Sequence, residues 1–137
     1  MTASSLGSGL AFGTELEPLE LPPLTRLTIG LYAAGSGDHV PLHIDQDFAR
    51  RAGYPDVFMH GSLGMAYIAR FLTRAVPQSS IREMKFRFSA ITYPGEQLTC
   101  RGRVVERLAD SARIAYSLTN PAGEEKLTGE AIVGAAA

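Results

Sequence analysis

Cysteine is almost absent from this chain: Cys100 stands alone among 137 residues. One thiol builds neither a disulfide framework nor a cysteine-based metal site within the chain. Its place in an alternating strand pattern predicts a buried, inert sulfur rather than a nucleophile. An excess of one charge is missing too, with 13 basic against 14 acidic side chains and a net charge of −1. No domain-wide attraction to nucleic acid or to an anionic membrane is expected from that balance. No run approaches the ~18 apolar residues that span a bilayer. The N-terminus lacks the basic and continuous apolar regions of a secretory signal, so the cytosol is the expected compartment.

What is present is ordinary for one globular domain, 45% hydrophobic and 20% charged. Residues 1–13, rich in serine and glycine, read as a flexible tail, and 14–137 as a single domain. Glu15 to Leu21 alternates weakly as a strand before Pro22-Pro23. Thr25 suits the N-cap of a short helix through about Ala34, which the interior Gly30 weakens. Asp45 suits the N-cap of a second helix ending at Gly53. Gly61 to Val76 is the longest helical pattern, with the line Leu63, Ala66, Ala69/Arg70, Thr73 and a wide apolar surface that should be enclosed on most sides. From Ile81 the period changes to two, giving four strands separated by turn signals at 93–96, 109–111 and 120–123. An antiparallel meander after one greasy helix predicts an α+β fold, its sheet wrapped around the helix. Arg82, Lys85, Arg87, Arg101, Arg103 and Arg107 alternate with apolar residues. The plain reading is a solvated sheet face; the sharper one is a grip on carrier or cofactor phosphates.

The most informative stretch is Ser36-Gly37-Asp38-His39-Val40-Pro41-Leu42-His43-Ile44-Asp45. Pro41 prevents regular structure throughout, so two acids and two histidines gather in an extended or turned loop. His39 and His43 have the spacing of a helical metal pair, but the proline between them and the lack of a third ligand at a familiar spacing weigh against zinc. No Gly-x-Ser-x-Gly elbow occurs, and the glycine pairs 35/37 and 61/64 lack the context of a dinucleotide site. Acid–base chemistry remains: Asp38 and His43 could share one water and its protons. His60-Gly61 opens the long helix, where the Gly61 N–H should be an unpaired donor at the positive end of the dipole. Such a donor could stabilise an enolate oxygen.

Together, the loop, Phe48-Ala49 and the downstream His60-Gly61 resemble the MaoC-like hydratases and dehydratases of the hot-dog superfamily. That family's signature runs roughly Ser-Gly-Asp-x-Asn-Pro-hydrophobic-His-x-Asp, with a later His-Gly before the central helix. The resemblance implies a single hot-dog domain around a central helix at about 61–76. It implies Asp38 and His43 as catalytic dyad and Gly61 as the donor to the thioester oxygen. The implied reaction is reversible hydration of a trans-2-enoyl thioester of coenzyme A or an acyl carrier protein, with no metal or redox cofactor. Val40, where the signature has Asn, His60 and Ser62 are the supporting candidates. Here the blander readings are a structural His60 hydrogen-bonded beneath the loop and a helix-capping Ser62, with Asp45 a cap and His39 an exposed loop side chain. Tyr67 and Tyr93 could line a pocket or a core edge. Some hydratases place a serine where this chain has Ala69. Val40 and Ala69 leave open a non-catalytic hot-dog subunit that supports an active partner. A thioesterase is disfavoured because residues 62–76 hold no Asp or Glu. Exposed sheet edges point to a homodimer with the acyl tunnel near its interface.

Overall fold

Local capping signals set the first helices of the computed structural model, which describes residues 10–134. In α1 (Arg26–Ser36) the Thr25 hydroxyl accepts the Thr28 N–H at 3.1 Å. Gly37 ends the helix at φ 77°, a left-handed conformation that side chains rarely adopt. A four-residue helix, α2 (Pro41–Ile44), starts on the proline. At that first position a fixed φ and a missing N–H cost nothing. The loop is therefore irregular as a whole, yet it contains one helical turn, and that turn carries His43. Asp45 then caps α3 (Gln46–Arg51), its carboxylate accepting the N–H groups of Asp47 at 3.0 Å and Phe48 at 3.2 Å.

The long helix, α4, is Gly61–Thr73. It stops short of Val76: the Ala75 N–H takes the Leu72 carbonyl three residues back, a tightened last turn, and Pro77 has no N–H to continue the ladder. Its buried residues are Leu63, Gly64, Ile68, Phe71 and Leu72, whereas Ser62, Ala66, Arg70 and Thr73 are exposed. The line proposed through Ala66, Arg70 and Thr73 is thus the open face, and enclosure is one-sided because the single sheet covers only the opposite stripe.

That sheet has five antiparallel strands in the order β1-β3-β4-β5-β2: β1 (Leu19–Glu20), β2 (Ile81–Phe88), β3 (Thr99–Arg107), β4 (Ser111–Thr119) and β5 (Glu125–Gly134). Only β3, β4 and β5 form a meander. β2 lies against β5, from Ile81 beside Val133 to Phe88 beside Leu127. The 93–96 turn consequently sits in a crossing segment, 89–98, rather than at a hairpin tip. Alternation tells which face a residue takes but not which strand it adjoins.

Inward residues of β3 to β5, including Val104, Ile114, Leu118, Leu127 and Val133, pack with Ile68, Phe71 and Leu72 of α4. Close approach is made by glycine: a Cβ on Gly102 would stand 3.0 Å from the Phe71 ring. Cys100 is fully buried, and burial pushes its thiol up to about 12, as befits an inert sulfur. The tail boundary at 13 shifts. Leu10 is a core residue and the Gly13 N–H donates to the Val104 carbonyl at 2.9 Å, so 10–13 dock on β3. Residues 1–9 of the expected tail lie outside the described residues. Among the described residues no helix is long and apolar enough to cross a membrane.

Candidate active site

Asp38 sits in the short linker between α1 and α2. The Ser36 hydroxyl accepts its N–H at 3.2 Å, and its own carboxylate accepts the Val40 N–H at 3.4 Å. One turn later, His43 places Nδ1 2.7 Å from the Phe58 carbonyl. A carbonyl only accepts, so Nδ1 carries the hydrogen and Nε2 of the neutral ring keeps its lone pair. Phe58 belongs to the segment between α3 and α4, which is fixed by the Met59 N–H donating to Thr92 O at 2.9 Å. Its ring also meets the His43 ring edge-on, with centroids 5.2 Å apart.

His60 lies behind both members of this pair. It is 1% exposed, and its Nε2 is 3.0 Å from the Asp38 backbone carbonyl. Its ring stacks on that of His43 at 3.8 Å and 22°. Burial pushes the His60 imidazole below its ordinary range; the bond to the Asp38 carbonyl opposes this, and the neighbouring His43 adds to it. The ring is therefore neutral with its hydrogen on Nε2, and Nδ1 has no hydrogen-bond partner. A carboxylate oxygen of Asp38 and one ring nitrogen each of His43 and His60 all lie within 4.8 Å of one another. Such a trio invites a cation, but the ring geometry is poor for one. Imidazole lone pairs lie in the ring plane, and two nearly parallel planes do not aim them at a common point.

Gly61 is the first residue of α4, so its N–H has no acceptor within the helix and lies at the positive end of the dipole. A Cβ there would stand 3.0 Å from the Phe88 ring, so glycine lets that aromatic lie against the helix mouth. Ser62 is not the cap: His60 holds the N-cap position, and the Ser62 hydroxyl instead accepts the Tyr32 O–H at 2.8 Å. Val40 occupies the N-cap of α2 without a side-chain bond. His39 is exposed, Tyr67 packs against the core, and Tyr93 meets Phe58 at 6.3 Å. Asp56 ties the surrounding elements together, accepting from Arg26 of α1 at 2.9 Å and Gln46 of α3 at 3.1 Å. The Phe58 carbonyl had no signal in the sequence, since every residue has one. Tyr32 likewise had no signal, since its place on α1 does not tell that it reaches Ser62 and His60.

A model of the MaoC-like domain family matches residues 11–125. The peroxisomal enoyl-CoA hydratase 2 of Arabidopsis thaliana is 29% identical over 84 residues, 59% of this chain and 26% of that protein. The match thus spans about a quarter of that relative's length. The unliganded R-hydratase PhaJ1 from Pseudomonas aeruginosa superposes with a TM-score of 0.82 at 26% identity, covering 92% of this chain and 82% of that one. The ChsH1–ChsH2 complex from Mycobacterium tuberculosis has a TM-score of 0.83 at 21% identity, covering 91% and 98%, a likeness of fold. With the five-stranded sheet on its central helix, these matches make the fold a hot-dog.

Proposed function

Because the chain belongs to the MaoC-like domain family, we propose that it is a hydro-lyase adding water reversibly to trans-2-enoyl thioesters to give (R)-3-hydroxyacyl thioesters. The observation that carries the reading is the approach of the Asp38 carboxylate to a His43 nitrogen within 4.8 Å, both packed on His60, the residue before Gly61 at the mouth of α4. A water held between Asp38 and His43 Nε2 attacks C3 and gives up its proton to the pair. A proton is then delivered to C2. Meanwhile the thioester oxygen, gaining enolate charge, accepts from the Gly61 N–H. The acyl carrier is coenzyme A or an acyl carrier protein, and none of these steps calls on a metal or redox group.

The test is hydration of a panel of trans-2-enoyl-CoA thioesters with stereochemical analysis of the product. Asp38→Asn and His43→Ala should each lower turnover by roughly 10²–10⁴ without loss of fold. Near wild-type turnover by either variant overturns the assignment. One observation favours a second reading, a non-catalytic hot-dog subunit: Val40 leaves α2 without a side-chain cap beside the dyad. Activity appearing only when a second hot-dog chain is co-expressed would select it.

A further inference from the structure

We infer that His60 is the positioning residue of the dyad, one buried ring that fixes Asp38 through its backbone and His43 through a ring stack. The inference rests on Asp38 and His43 being the reacting pair. Asp38 lies in a linker whose local bonds, at 3.2 and 3.4 Å, stay within residues 36–40. The bond from His60 Nε2–H to the Asp38 carbonyl, at 3.0 Å, is what anchors that linker to the body of the domain. His43 is held on one edge by the Phe58 carbonyl, about which its ring could still swing. The His60 ring, stacked 3.8 Å away, blocks that swing and sets where Nε2 points.

His60 suits this work because it cannot itself move. Its backbone carbonyl accepts the first helical N–H of α4, from Leu63, at 3.1 Å. Tyr32 also packs against the imidazole at 4.9 Å and is held in turn by its bond to Ser62. Burial disfavours a charge on His60, which suits a ring that holds the pair in place rather than one that exchanges protons. Any buried histidine N–H needs an acceptor; what singles out His60 is that its acceptor is the Asp38 carbonyl and its stacking partner is the His43 ring.

Two variants separate the contacts. His60→Phe keeps a ring and removes the donor; His60→Gln keeps a donor and removes the stack. His60→Phe should lower kcat by about 10–10², with KM within about threefold, since small misplacements of reacting groups cost rate rather than affinity. Amide exchange at Asp38, His39 and Val40 should speed by about tenfold or more. His60→Gln should restore exchange protection there, recover part of kcat, and shift the His43 ring protons downfield as the stacking ring is lost. Wild-type kcat and wild-type linker exchange in a folded His60→Phe would overturn the inference. If that variant does not fold, unchanged His43 ring shifts and kcat in His60→Gln overturn it instead. Exchange and ring shifts need no substrate, so they decide this inference even where a wild-type chain that hydrates no enoyl-CoA defeats the functional reading.

Discussion

Val40 stands at the N-cap of the helical turn that carries His43, and its branched hydrocarbon offers no acceptor there. The turn is held at its start by the His43 N–H to Val40 O at 3.0 Å and by a long bond from the Val40 N–H to the Asp38 carboxylate at 3.4 Å. Val40 is 46% exposed, so its side chain contributes little packing in exchange. Asn at this position would accept from an N–H of the first turn and stiffen the segment between Asp38 and His43. Val40→Asn should therefore add about 1 kcal/mol of stability. For a domain of this size that is a rise in Tm of roughly 3–5 °C by calorimetry. An unchanged or lower Tm would mean that the cap is not what the segment lacks.

At the scale of elements, α1, α3 and the stretch leading to α4 are joined at one carboxylate. Asp56 accepts from Arg26 and Gln46 as well as from the Val57 N–H at 2.7 Å. The hydrogen-bonded Arg26 guanidinium, helped by the Val57 and Gln46 bonds, holds the Asp56 carboxyl at about 2, against an ordinary 3.8. A depressed carboxyl stabilises the fold fully above its unfolded value, and that contribution is lost as pH falls from about 4 through about 2. Asp56→Asn should lower Tm at pH 7, and the deficit should close toward pH 2, as followed by thermal scans across pH. A deficit that stays constant with pH would remove the charge from the explanation.

The same elements show what a sequence can and cannot reveal. Caps are local chemistry, so Thr25 and Asp45 were legible, as were the acid and histidine of the loop and a structural His60 beneath it. The open face of α4 was not legible. Ala66 looks apolar in a pattern, yet only the position of the sheet decides that it faces outward. β2 was seen as a strand, but its partners in β5 lie 39 (Phe88 to Leu127) to 52 (Ile81 to Val133) residues further on, a pairing no local period encodes. The tether from the Phe58 carbonyl to His43 is backbone chemistry, which residue type does not report.

For the whole molecule, laying β2 beside β5 forces the chain to cross back over 89–98 to begin β3. Lys126 pins that crossing. Its side chain is 4% exposed, donates to the Ile91 carbonyl at 2.8 Å, and pairs with Glu96 at 2.9 Å and with Glu124. The strand order also leaves two unlike edges. Beside β3, residues 13–24 already cover the edge through β1 and through bonds from Leu16 to Gly102 O, Leu21 to Leu98 O and Leu24 to Glu96 O. On the far side β2 offers an eight-residue edge with no strand beyond it among the described residues. The open face of α4 flanks it, with Ala69, Arg70 and Thr73 across a cleft from Ile81 and Met84. A free edge of this length is a template for pairing. A two-fold axis would bring β2 antiparallel to its own copy, continuing the sheet and covering the open helix face in one interface. Phe88 ends that strand against Gly61, so the same interface would border the candidate site. Light scattering should accordingly give twice the chain mass at micromolar concentration, falling toward the single-chain value only on strong dilution. A single-chain mass throughout the micromolar range would show that β2 is protected some other way and that the site is complete within one protomer.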